Sequence, residues 1–180
     1  ESTSPRWLVL DGYEDEPAAF GVPPYVGFHI RYLCGVLEQA KIQYDYLTID
    51  QWRDFVRAEG EDAATKRLSN ISGMACIAGA IVPGRYLRGT PISLKETRNI
   101  IRQLPASIPA IFGGWAIRGW RQQGWNPLRS NLFLALQDTD ATLSNFIQTG
   151  QWKHCRRTAE QWTQWAHCGA MSKAVTQHPD

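Results

Sequence analysis

An unbroken apolar run, MACIAGAIV at 74–82, closes on Pro83-Gly84. It is too short to span a bilayer, which takes about 20 apolar residues in a helix. It is also too continuous for a strand with one wet face, where apolar and polar residues alternate. It suits a central strand of a parallel sheet, covered on both sides. Parallel neighbours cannot be joined by a hairpin, so each step needs a crossover of about a dozen residues or more, usually a helix. A chain built around such a strand should therefore alternate strand and helix.

That alternation is present. Trp7 to Asp11 is a first apolar run, and from Phe28 the residues Phe28, Tyr32, Leu33, Val36, Leu37 and Ala40 fall at helical spacing. Tyr44 to Ile49 reads as a strand, and Asp50 is placed to cap a helix carrying Trp52, Phe55 and Val56. Residues 59–72 are polar and leave open whether that helix resumes or breaks. SLKE at 93–96 is a capping box, followed by Leu94, Thr97, Ile100, Ile101 and Leu104 at helical spacing, with Pro105 as the stop. PAIFGG (109–114) and NLFLAL (131–136) read as a fourth and a fifth strand. Asp140 is placed to cap a last short helix with Leu143, Phe146 and Ile147, ended by Gly150.

The expected fold class is α/β: a doubly wound, about five-stranded parallel sheet, Rossmann-like or flavodoxin-like, with right-handed crossovers. It should occupy residues 6–150. Residues 151–180 read as a helical tail or linker. There Thr158 and Gln161 suggest a second capping box, and Trp162, Trp165 and Ala166 fall on one helical face. This tail helix should pack on the sheet or on whatever follows residue 180.

Charge says little about partners. The formal net charge is +2 and 20% of residues are charged, with no long basic stripe. The local basic patches RGWRQQGWNPLR (118–129) and KHCRR (153–157) read as solvated loops rather than nucleic-acid contacts. No nucleic-acid or membrane partner is expected, and no signal peptide is visible, although the chain opens at Glu1 rather than Met. Cys34 and Cys76 fall in helix and strand patterns, where thiols act as small buried hydrophobes. With Cys155 and Cys168 they form no disulfide framework, which fits the cytoplasm.

In open parallel sheets, ligands bind beyond the carboxyl ends of the strands. Those ends are Asp11-Gly12-Tyr13, Asp50, Pro83-Gly84-Arg85-Tyr86, Gly113-Gly114-Trp115 and Gln137-Asp138-Thr139-Asp140. Glycines there allow close approach to the backbone, and aromatic residues offer flat apolar faces, so a large, flat, partly polar ligand suits the rim. The same glycines and prolines also serve simply to end strands. The loop after the first strand, DGYEDEPAAFGVPPY, is long for such a turn and carries Pro17, Pro23, Pro24 and Tyr25. Glu14, Asp15 and Glu16 read as solvated loop residues, leaving Asp11 as the better polar-ligand candidate.

The chain has no Walker A loop, no G-x-G-x-x-G after the first strand and no G-x-S-x-G elbow. The pairs His154-Cys155 and His167-Cys168 do not have zinc-finger spacing and read as helix-packing residues. No catalytic residue and no metal ligand is assigned.

The order of these pieces resembles the N-terminal cobalamin-binding-type domain of cobalamin-dependent radical SAM proteins. It is most similar to a subgroup whose N-terminal region reads DGYxDEPAxxGVPPY and later VPGRYLxGTP. The resemblance covers about residues 7–150. Pro23-Pro24-Tyr25 stands at the family's proline-containing loop, Gly113-Gly114 at its glycine pair, and Thr142-Leu143 with Phe146-Ile147 in the helix after its acidic turn. The chain departs from the family in that turn, where Gln137-Asp138-Thr139-Asp140 replaces the common G-E-G-E. It also lacks D-x-H-x-x-G, the source of a lower cobalt ligand, so cobalamin would bind without one.

The strand ends and the resemblance together give Asp11, Tyr13, Pro23, Pro24, Tyr25, Pro83, Gly84, Arg85, Gly113, Gly114, Trp115, Asp138 and Thr139 as the expected cofactor-binding residues, with cobalamin as the cofactor that the resemblance implies. Radical SAM chemistry needs C-x-x-x-C-x-x-C to hold a [4Fe-4S] cluster, and the four cysteines here cannot supply it. The cluster and S-adenosylmethionine are therefore expected in a radical SAM domain that follows residue 180, and that domain is the expected partner of this one. The alternatives are a cofactor-free scaffold that positions the catalytic barrel, and a flavodoxin-like domain for another cofactor.

Overall fold

The computed structural model describes residues 6–13, 26–79 and 90–172. The described elements run β1 (Arg6–Gly12), α1 (Phe28–Gln39), β2 (Tyr44–Thr48), α2 (Ile49–Ser69), β3 (Ile71–Ala78), α3 (Leu94–Gln103), β4 (Ala110–Gly113), α4 (Trp115–Gln122), β5 (Leu132–Leu134), α5 (Thr139–Thr149) and α6 (Ala159–Ala170). The five strands form one sheet in the order β2-β1-β3-β4-β5, and every neighbouring pair is parallel. This is the flavodoxin-like order. The expected fold class is what the chain adopts, including the C-terminal helix.

The two-residue period of the strands feeds two cores. On β1, Leu8 and Leu10 point to one face and Trp7 and Val9 to the other. On β3, Met74, Cys76 and Ala78 join the first face, and Ala75 and Ile77 the second. Helices α2, α3 and α4 cover the first face through Trp52, Leu68, Ile100, Ile101 and Ile117. Helices α1, α5 and α6 cover the second through Ile30, Leu33, Leu37, Leu143 and Trp165. Met74–Ala78, the described strand part of the MACIAGAIV run, is fully buried because both faces are covered. Cys34 and Cys76 are buried, as expected of thiols in these positions.

Local chemistry shifts several element ends. Asp50 does not cap α2. Thr48 does, its hydroxyl accepting from the Gln51 amide at 3.2 Å while the Gln51 side chain accepts from the Thr48 amide at 2.9 Å. The polar stretch after residue 59 stays within α2, interrupted by Gly60 at φ 86° and ψ 171°. Asp138, not Asp140, is the residue before α5, and it makes no side-chain cap bond. Gly150 ends α5 in the left-handed conformation, as its type allows.

The basic stretch from Arg118 is not all loop: it lies partly in α4, which the sequence reading did not contain. Thr158 and Gln161 do form the capping box of α6. On that helix Trp165 is buried and its indole N–H donates to Gln39 Oε1 at 2.7 Å, but Trp162 turns outward. Helix α6 packs on α1 at two glycines. A Cβ on Gly35 would collide with the Trp165 carbonyl, and one on Gly169 with the Arg31 carbonyl.

Candidate functional site

The strand order sets the place. From β1 the chain crosses to α1 on one face, and from β3 to α3 on the opposite face. The two connections diverge, which makes the carboxyl edge between β1 and β3 the switch point of the sheet, where ligands of such folds bind.

Asp11 lies at this edge and is only 6% exposed. Its Oδ1 accepts from the Tyr13 amide at 2.9 Å, closing an Asx-type turn, and its Oδ2 accepts from the Tyr46 phenol at 2.9 Å. The turn holds Tyr13 at φ 58°, in the left-handed region that a non-glycine residue seldom occupies. The Tyr13 phenol donates to Asp50 Oδ2 at 3.1 Å. Burial, together with the Asp50 and Asp11 charges, pushes that phenol up to about 12, against the pull of Thr48. Burial and then Asp11 raise the Tyr46 phenol as well. Both phenols are therefore neutral hydrogen-bonding groups near neutral pH.

Arg53, in the first turns of α2, adds five hydrogen bonds. They run to Asp50, to both oxygens of Glu96 and to the carbonyls of Thr90 and Pro91. Burial pushes the Glu96 carboxyl up, but the bonds from Arg53 and Ser93 outweigh it and hold the group at about 2. The segment 90–93 also lies against β1: the Ile92 amide donates to the Gly12 carbonyl at 3.1 Å.

The glycines of the rim serve the chain's own packing. A Cβ on Gly12 would strike Ile92 and the Ile77 carbonyl, one on Gly113 would strike Thr139, and one on Gly114 would strike the Ala78 carbonyl. Gly114 also sits at φ 100°, where any side chain is strained. The open apolar surface is aromatic instead. Trp115, at the start of α4, is 57% exposed with the Arg118 guanidinium 5.4 Å from its ring centre. Phe28, at the start of α1, is 60% exposed, with Arg31 at 5.9 Å.

The β5 end is closed by the tail. Arg157, with 8% of its side chain exposed, pairs through Nε with Asp140 Oδ2 at 2.9 Å, and its amide donates to Asp138 Oδ2 at 2.7 Å. Its guanidinium lies 4.2 Å from the Tyr32 ring centre and 5.2 Å from that of Trp162. The Cys155 amide donates to the Thr142 hydroxyl at 3.2 Å, holding the same stretch of tail. Burial pushes the Asp140 carboxyl up to about 6, against Arg157 and the backbone amides.

Of the sequence-derived site residues, Asp11 and Tyr13 come together at the switch point. Gly113, Gly114 and Trp115 form the β4 end beside it. Asp138 and Thr139 lie at the β5 end, one engaged by Arg157 and the other packed on Gly113. Pro23, Pro24, Tyr25, Pro83, Gly84 and Arg85 lie outside the described residues. Tyr46, Arg53, Arg157 and Phe28 as an exposed rim residue are not among the sequence-derived candidates. An arginine three positions after Asp50, facing the capping-box acid Glu96, was the available signal for Arg53. Arg157 lies 17 positions after Asp140 and carried no signal. Among the described residues no three His, Cys, Asp or Glu side chains gather as a metal site. His154 packs on the Phe133 ring, 4.7 Å between centres. No described helix is long and apolar enough to cross a membrane.

The chain is similar to an uncharacterized protein of Methanocaldococcus jannaschii, 32% identical over 97% of this chain and 32% of that protein. It is also similar to an uncharacterized protein of Archaeoglobus fulgidus, 43% identical over 49% of this chain and 16% of that protein. The chain thus spans about a third or less of the length of the curated relatives it matches. No family model matches it, and no solved structure gives a significant match.

Proposed function

We propose that this chain is the cobalamin-binding-type domain of a longer radical SAM protein, holding a large flat ligand across the carboxyl ends of β1, β3 and β4. The observation that carries the reading is the flavodoxin-like strand order, which sets Asp11 and Tyr13 of the β1 end beside the switch point, with Tyr46 of β2 and Asp50 of α2 bonded to them and Trp115 exposed at the β4 end. Neutral phenols and carboxylates suit the polar edge of such a ligand, and a partly exposed indole suits its apolar surface. On this part of the rim Tyr13 and Trp115 fit the group: Tyr13 would meet its polar edge and Trp115 its face, while Asp11, buried with both oxygens already bonded, would hold Tyr13 in place. At the β5 end the residues do not fit, because Arg157 already occupies Asp138 and Asp140. Bound cobalamin supplies methyl-group transfer, while the iron–sulfur cluster and S-adenosylmethionine belong to the remainder of the longer protein. The size of the archaeal relatives agrees with such a remainder.

A second reading, a scaffold domain without a cofactor, is favoured by one observation: the spaces over Gly12, Gly113 and Gly114 are filled by Ile92, Thr139 and Ala78. Titration of the chain with hydroxocobalamin, followed by its visible spectrum, separates the two. The cofactor reading predicts a saturable one-to-one spectral change. An unchanged spectrum at high micromolar cobalamin sinks it and leaves the scaffold.

A further inference from the structure

Three loop ends meet at one guanidinium. Arg53 Nη1 donates to Asp50 Oδ1 at 2.7 Å, and the other oxygen of Asp50 accepts the Tyr13 phenol at 3.1 Å, so the end of β1 is tied to the start of α2. The same Nη1 donates to the Thr90 carbonyl at 2.7 Å, and Nη2 donates to the Pro91 carbonyl at 3.3 Å. Nε and Nη2 fork onto Glu96 at 2.7 and 3.1 Å, and Glu96 closes the capping box of α3 by accepting from the Ser93 amide. The end of β1, the start of α2 and the segment that leads into α3 are thereby joined.

We propose that Arg53 is the positioning residue of this rim: it sets the spacing between Tyr13 at the end of β1 and the segment 90–93 before α3, and through that spacing the affinity for the ligand. The affinity part rests on the cofactor reading above. The positioning part does not.

The guanidinium is needed for its shape. Its planar fork reaches two carboxylates and two carbonyls at once, whereas a lysine ammonium is a point donor on a flexible stem. Charge alone therefore does not replace it. Tyr13, Ile92 and Ser93 report on the arrangement, because their amides are bonded to Asp11, Gly12 and Glu96 respectively.

The test uses the full 180-residue chain and two variants, Arg53→Met and Arg53→Lys. Hydrogen exchange at Tyr13, Ile92 and Ser93 is expected to rise about tenfold or more in both, with β1 and β3 core amides unchanged, the pattern of local opening. Hydroxocobalamin affinity is expected to fall about tenfold in both variants, a loss of about 1.4 kcal/mol. Unchanged exchange at the three amides, restoration by lysine, or a rise spread evenly through the central strands would overturn the positioning role. Unchanged affinity in variants whose parent binds cobalamin would overturn its link to the ligand. A parent chain that binds no cobalamin sinks the cofactor reading, and the exchange result then decides Arg53 by itself.

Discussion

Arg157 and Asp140 show what a single buried pair does here. Asp140 is 2% exposed, and its ion partner comes from the tail. Removing one partner of a buried pair leaves the other charge without compensation, at a cost of about 3 kcal/mol. Burial raises Asp140 from its ordinary 3.8 to about 6, so the folded chain holds this proton more tightly than the unfolded chain does. Its contribution to stability is then fullest below about pH 3.8 and falls as pH rises through about 6. Without Arg157 the carboxyl moves higher still. Arg157→Met should therefore cost about 3 kcal/mol at pH 8 and clearly less at pH 5, read from urea unfolding. Equal losses at the two pH values would contradict the pairing. None of this was legible in the chain, because an ion pair between a helix start and a tail depends on how α6 docks. Asp11 was legible, since a polar residue closing an apolar run marks a strand end.

At the scale of elements, periodicity and caps carried most of the information. The boxes at Ser93 and Thr158 stand where the spacing places them, each satisfying helix-start amides with local side chains. Helix α4 had no such signal. It begins after Gly114 with no side-chain cap, contains Gly119, and presents basic residues that read as loop. Thr48 displaced Asp50 as the cap of α2 because its box with Gln51 satisfies two donors. The outward turn of Trp162 follows from the seating of α6, whose Trp165 faces α1 while Trp162 lies over Arg157.

That seating depends on missing side chains. In an exposed helix, Gly→Ala stabilises by about 1 kcal/mol. At Gly35 the added methyl meets the Trp165 backbone, so Gly35→Ala should instead destabilise the chain by about 2 kcal/mol. It should also raise the rate of tryptic cleavage at Lys153 and Arg156 about fivefold as the α6 connection loosens. A cleavage rate equal to that of the unaltered chain would show that α6 does not rely on this contact.

For the molecule as a whole, the alternation of strands and helices identified the fold class but not the order of the strands. Crossovers of this length reach either neighbour, so flavodoxin-like and Rossmann-like arrangements stay equivalent until β1 is seen between β2 and β3. The position of the switch point follows from that order, and so does the division of the rim. The β1 and β2 ends carry the polar group, the β4 end carries the exposed indole, and the β5 end is taken by Arg157. The strand-end rule spread the expected contacts over all of these ends, because nothing in the sequence places the tail.

The most direct measurement is hydrogen exchange of the full chain with and without saturating hydroxocobalamin. Slower exchange at Asp11–Tyr13, Ile92–Ser93 and Gly114–Ala116, with Asp138–Asp140 unaffected, is the result predicted for a ligand across the β1, β3 and β4 ends. Protection confined to Asp138–Asp140, or no protection anywhere, would contradict it.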